Sequence, residues 1–210
     1  ERLALRLFTA LPPHLTASVV ALLIRAMRSG ASQVILPGEM DRLHAHLRRR
    51  HQEGVRMNIN HLGEAVLGED EAARRLATYI RDMADPQIEC ISIKISTLYS
   101  QISSLAFGQT VDLLKERLTA IYRAAKKHGA NRPDTSVGAK FVNLDMEEYR
   151  DLEITYQVFT ATLDQEEFLD LSAGIVLQAY LPYSFAIQQE LTAWAQRRQA
   201  RGGAPIKLRI

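Results

Sequence analysis

From Val55 onward, apolar and polar residues alternate in short runs, and the alternation returns five times. Ile91, Ile93 and Ile95 stand against Ser92, Lys94 and Ser96, and Val142, Leu144 and Met146 against Asn143, Asp145 and Glu147. Ile206, Leu208 and Ile210 oppose Lys207 and Arg209; Val55, Met57 and Ile59 oppose Arg56, Asn58 and Asn60. Ile175, Leu177 and Ala179 oppose Gln178 and Tyr180. A period of two marks a strand with unlike faces, so strands are predicted over 55–60, 91–96, 140–147, 174–180 and 206–210. Between them the period lengthens to that of a helix, over about 69–83, 110–128, 149–163 and 184–201, with Gly129 and Gly202-Gly203 as stops. Residues 1–54 carry helical period only. Two short helices divided by Pro12-Pro13 are expected there, with Thr16 a candidate cap and Leu15, Val19, Leu22, Leu23 and Ala26 on one face. A connector follows over 30–38, then a helix over 39–52 ended by Gly54.

Strands alternating with long helices imply βα units and a parallel sheet. A doubly wound sheet is covered on both faces, so its central strands are apolar on both sides. These strands keep one polar face throughout, the pattern of a barrel ringed by helices with a ligand at its mouth. The reading is therefore an α/β (βα)8 TIM-like barrel of which the first four βα units and strand 5 are present. Residues 1–54 form a helical segment leading into it, and 55–210 its first half. An end inside a fifth strand suggests a piece of something longer.

Composition narrows the function without choosing it. The 210 residues are 47% hydrophobic and 24% charged, an ordinary globular balance, and 26 basic against 24 acidic residues leave a net charge of +2. With the basic residues dispersed apart from Arg48-Arg49-Arg50, a nucleic-acid partner is not expected. No apolar run approaches a membrane span, and no signal peptide opens the chain, so a cytoplasmic protein is expected. The single cysteine, Cys90, excludes an internal disulfide and reads as a buried, inert thiol. His44, His46 and His51 lack the four-residue spacing of a helical metal pair and read as surface residues; no metal site is expected.

In such a barrel the site lies at the carboxyl ends of the strands. Asn60, Glu64, Lys94, Ser96, Asp145, Glu147, Gln178, Tyr180 and Arg209 are predicted to meet there. A lysine and an arginine among carboxylates suit a small charged ligand bound by pairing. Two other readings stay open on spacing alone. One is a Schiff-base lyase with Lys94 as nucleophile; the other is a non-catalytic structural or interaction module whose polar network satisfies itself.

Five ordered motifs carry a resemblance. Asn58-Ile59-Asn60-His61-Leu62-Gly63-Glu64-Ala65, Ser92-Ile93-Lys94-Ile95-Ser96, Val142-Asn143-Leu144-Asp145-Met146-Glu147-Glu148 with Asp151-Leu152-Glu153, Ile175-Val176-Leu177-Gln178-Ala179-Tyr180, and Ile206-Lys207-Leu208-Arg209 together resemble the proline dehydrogenase family. More narrowly, the chain resembles the proline dehydrogenase module of the bifunctional proline utilization A flavoenzymes, from about Val34 to Ile210. The resemblance implies a barrel that binds FAD non-covalently and oxidises L-proline to pyrroline-5-carboxylate. It further implies a quinone electron acceptor, peripheral contact with the inner face of the membrane, a homo-oligomer, and an aldehyde dehydrogenase module in the same full-length chain.

Roles follow residue by residue from the same resemblance. Lys94 matches the lysine that pairs with the proline carboxylate, and Arg209 the arginine near flavin N5. Gln178 matches a glutamine touching the flavin ring, and Glu64 a glutamate that gates the site. Asp145 and Glu147 match acidic residues near the site, expected to support Lys94, and Tyr180 a residue of the substrate pocket. Asn60 departs from the aspartate of some relatives. The lysine-glycine segment for the cofactor phosphates and the paired arginines of the last helix have no counterpart up to Ile210. The fragment alone is thus expected to be inactive, with an open strand edge inviting association.

Overall fold

A computed structural model of the chain describes residues 12–31, 35, 36, 38–63, 65–129 and 139–210. They fall into two compact units, Glu1–Arg49 and Arg50–Ile210. In the first, helix α1 (Pro13–Ala31) starts on a proline, whose missing N–H costs nothing at the first helical position. Thr16 is not its cap: the hydroxyl lies inside the helix and donates back to the Pro12 carbonyl at 3.2 Å. The helix expected before Pro12 lies outside the described residues. Helix α2 (Met40–Gln52) is closed by Gly54 with a φ of 75°, a left-handed turn that favours glycine.

The second unit is built on five parallel strands: β1 (Asn58–Asn60), β2 (Cys90–Lys94), β3 (Phe141–Asp145), β4 (Gly174–Val176) and β5 (Lys207–Arg209). Between them run α3 (Glu69–Ala84), the four-residue α4 (Ile95–Leu98), α5 (Phe107–Gly129), α6 (Leu152–Leu163) and α7 (Pro182–Ala200). The strands lie side by side in chain order. With no reversal in that order, crossovers of one hand put every helix on the same face, which is the singly wound arrangement. Helix α3 packs on α5, α5 on α6 and α6 on α7 accordingly. Ile91, Ile93, Val142, Leu144 and Ile175 are buried on the helix side with Leu114, Leu118, Ile121 and Phe159. Each such side chain contributes about 1.5–3 kcal/mol of burial. The sheet is open, with β1 and β5 as its edges, so barrel closure is not seen in this half.

Strand ends depart from the alternation wherever the following turn takes over. Strand β2 stops at Lys94 because the chain folds at once into α4; Ser96 therefore leaves the polar face and is buried in that turn. Strand β4 stops at Val176, short of the expected Tyr180, since α7 begins on Pro182 and needs Leu181 extended before it. Gln178 and Tyr180 thus belong to a loop. Edge strand β1 keeps only its last three residues.

At the amino ends of β4 and β5 one side chain ties the connections together. Arg198, 2% exposed, donates to the main-chain carbonyls of Phe168 (2.5 Å), Leu169 (3.0 Å), Leu171 (3.1 Å), Ala204 (3.2 Å) and Leu163. Gly203 is required beside it, because a Cβ there would stand 2.7 Å from Arg198 Cγ.

Candidate active site at the carboxyl ends of the strands

Register decides which side chains share the polar face. Asn60, Ser92, Asn143, Gly174 and Lys207 form one row across the five strands. Two residues on, Lys94 stands opposite Asp145, and Arg209 opposite Val176. Gly174 leaves room in this layer, since a Cβ would lie 2.4 Å from Asn143 Oδ1.

Among the described residues two ion pairs occupy the mouth. Lys94 Nζ lies 2.5 Å from Glu147 Oε1, and Arg209 Nη2 lies 2.7 Å from Asp145 Oδ1. Glu147 is fixed from two further sides: Ser96 Oγ donates to Oε2 at 3.5 Å, and Gln178 Nε2 to the main-chain carbonyl at 2.9 Å. The Asp145 oxygen that meets Arg209 also accepts Asn143 Nδ2 at 2.6 Å. Below it Asn58 Nδ2 donates to Ser92 Oγ at 2.8 Å, and Cys90 Sγ to Asn58 Oδ1 at 3.3 Å. Each pair joins a sheltered partner to an open one, 14% against 42% exposed for Lys94 and Glu147, and 12% against 49% for Asp145 and Arg209. Glu147 can therefore turn out to water at little cost, leaving a sheltered ammonium for another carboxylate.

The structure places the expected residues as follows. Asp145 is the register partner of Lys94, but its carboxylate pairs with Arg209 while Lys94 pairs with Glu147. Gln178, two residues beyond its strand, uses its amide nitrogen on Glu147 and leaves Oε1 buried with no hydrogen-bond partner. Tyr180 is exposed in the turn before α7 and makes none of these bonds. Glu64 lies outside the described residues. Cys90 is half-buried as the first residue of β2, and burial pushes its thiol up to about 11, so little thiolate exists at neutral pH.

Other contributors read as plain core or surface in the sequence. Thr97 Oγ1 donates to the Lys94 carbonyl at 2.7 Å and lies 3.0 Å from the Tyr79 hydroxyl. The ring of His61 packs edge-on against Tyr79 at 5.8 Å and bonds buried Asp82. Glu69, at the start of α3, accepts Ser100 Oγ (2.6 Å), Ser100 N (3.1 Å) and Arg117 Nη2 (2.5 Å), tying down the loop after β2. The Ser100 hydroxyl and the Arg117 guanidinium hold its carboxyl at about 2. The acidic residue in a first helical turn was the one signal available in advance.

The proline dehydrogenase family model matches residues 43–210. Among solved structures, proline utilization A from Corynebacterium freiburgense is 40% identical with a TM-score of 0.78, over 93% of this chain and 20% of that one. Proline utilization A from Bdellovibrio bacteriovorus, inactivated by N-propargylglycine, is 29% identical with a TM-score of 0.75, over 91% of this chain and 21% of that one. A Bradyrhizobium japonicum proline utilization A variant, at 23% identity and a TM-score of 0.58 over 73% of this chain and 15% of that one, supports the fold alone. None of the curated proteins matches. The chain spans about a fifth of the length of the first two structures. With the family model matched over all five strands and the helices between them, the chain belongs to the proline dehydrogenase family.

Proposed function

We propose that this chain is the amino-terminal half of a (βα)8 barrel that oxidises L-proline to pyrroline-5-carboxylate with FAD. The observation that carries the reading is Lys94, a sheltered ammonium on a barrel strand whose carboxylate partner is half-exposed. A substrate carboxylate replaces Glu147 there. A lysine nitrogen engaged by the Glu147 carboxylate is not free to attack a carbonyl, which disfavours the Schiff-base lyase. The wholly self-satisfied network is disfavoured by Gln178 Oε1, a buried acceptor left without a donor.

The residues present fit a flavin. Gln178 Oε1 offers an acceptor to a ring N–H, and Arg209, half-exposed and aimed by Asp145, offers a cation. FAD, when bound, supplies the acceptor for the hydride that leaves proline C5. Lys94 anchors the proline carboxylate, and Arg209 stabilises negative charge where it develops. The amine proton goes to solvent before hydride departs, so positioning and electrostatics carry most of the catalysis. Glu64 as a gate and Tyr180 as a substrate contact belong to the same reading.

An aldehyde dehydrogenase module elsewhere in the parent chain belongs to the same proposal, with this chain covering about a fifth of the proline utilization A structures it matches. A quinone acceptor, a homo-oligomer and a cytoplasmic protein touching the membrane peripherally complete the proposal. Among the described residues no helix is long and apolar enough to cross a membrane. The parent protein purified at full length should be yellow, with flavin absorbance bleached by L-proline under anaerobic conditions. A colourless protein, or a flavin that proline leaves oxidised, overturns the assignment.

A further inference from the structure

We propose that Tyr79 and Thr97 are positioning residues for Lys94, acting through a two-step hydrogen-bond relay that ends on the Lys94 main-chain carbonyl. The inference rests on the reading of Lys94 as the clamp for the substrate carboxylate. Lys94 is the last residue of β2 and the extended residue (φ −126°, ψ 142°) before α4, with no side-chain cap. A four-residue helix does not hold its own geometry. Where the ammonium reaches nonetheless depends on how the backbone turns at that point.

The relay supplies the missing constraint, and its polarity can be deduced. A hydroxyl carries one proton, and Thr97 spends it on the Lys94 carbonyl at 2.7 Å. At 3.0 Å the Tyr79 hydroxyl must then be the donor to Thr97 Oγ1. Both residues are 1% exposed, so water does not stand in for either. Tyr79 belongs to α3, the helix after β1, so the relay fastens the end of β2 to the neighbouring βα unit. The edge of the His61 ring braces the phenol. The loop after β1 holds the same turn from another side, with Val66 N–H donating to the Ser96 carbonyl at 3.1 Å. Burial pushes the Tyr79 phenol above the ordinary tyrosine range, which keeps the donating proton in place.

The test uses the full-length parent enzyme with Tyr79→Phe, Thr97→Val and Thr97→Ser. The first two are close to isosteric, so folding is preserved while donors are lost. Tyr79→Phe should raise KM for L-proline about fivefold, the worth of one neutral hydrogen bond, with kcat within about twofold and flavin content unchanged. Thr97→Val, which cuts both steps, should raise it roughly tenfold. The double variant should be no worse than Thr97→Val, because both act on one path. Thr97→Ser keeps the hydroxyl and should restore most of the affinity. Binding of cyclopentanecarboxylate, which has the carboxylate but no amine, should weaken in parallel, while binding of pyrrolidine, which lacks the carboxylate, should not. Equal losses for both ligands, or an unchanged KM in both Tyr79→Phe and Thr97→Val, overturn the positioning role. A parent enzyme inert to proline instead overturns the reading of the site, before any variant is made.

Discussion

At the carboxyl ends of the strands Lys94 meets, among the described residues, the side-chain carboxylate of Glu147 at 2.5 Å; at the amino ends Arg198 meets the carbonyls of Leu163, Phe168, Leu169, Leu171 and Ala204. Both are cations drawn out of water. What differs is whether the partner can leave. Glu147 is a half-exposed side chain that can rotate into solvent, so the charge it covers is available to a ligand. The carbonyls around Arg198 are main chain, and displacing them means undoing the connections into β4 and β5. Desolvation pulls the Arg198 guanidinium below the ordinary arginine range against the opposing pull of Asp164, yet the five main-chain carbonyls keep its donors satisfied. On the proposed reading the sheltered Lys94 is a site and the buried Arg198 a joint, a division of labour between the carboxyl and amino ends of the strands.

The sharpest way to break that comparison is to remove each cation from the full-length enzyme. Arg198→Leu takes the side-chain donor from five main-chain carbonyls, of which Phe168 and Leu169 keep a backbone N–H, and should cost about 4 kcal/mol of stability in urea unfolding, with KM for proline unchanged in whatever remains folded. Lys94→Ala should do the reverse: under about 1 kcal/mol of stability, because Glu147 is released to water, and a KM increase of roughly a hundredfold with flavin retained. Similar stability losses from the two would abolish the distinction.

A smaller effect sharpens the site itself. Asp145→Asn keeps the shape but removes the charge that aims Arg209, and should slow flavin reduction in stopped-flow about tenfold while proline affinity changes less. If affinity fell instead, Asp145 would be serving Lys94 after all.

The smallest effect concerns the loop beside the mouth. Glu69 has a folded-state value of about 2, below its ordinary 4.5, so the folded state binds fewer protons than the unfolded chain. Its contribution is therefore full above about pH 4.5, fades as the pH falls, and is gone below about pH 2. The carboxylate is 43% exposed, which limits the effect to about 1 kcal/mol. Glu69→Gln should flatten the acid limb of a stability profile over that window; an unaltered limb would show that the Ser100–Arg117 cluster holds nothing.

Much of this was legible in the chain because alternation is local. Side chains two apart on a strand point the same way whatever surrounds them, so Lys94, Asp145 and Arg209 had to share a face once the strands were parallel. Strand ends were less legible. Ser96, Gln178 and Tyr180 all continued the alternation, but α4 and the proline-led α7 claimed the backbone first. Tyr79 falls inside the helical stretch 69–83, where nothing in the period of the sequence marks its hydroxyl.

The sequence by itself thus determined the order of βα units, the polar lining and the family. Tertiary structure alone decided that Lys94 takes Glu147 while Asp145 takes Arg209, that Gln178 keeps a buried oxygen free, and that Tyr79 reaches Lys94 through Thr97. Facing follows from covalent geometry along one strand. Apart from the local Thr97–Lys94 bond, pairing follows from distances between residues 18 to 64 apart in the chain, which exist only once the helices have packed.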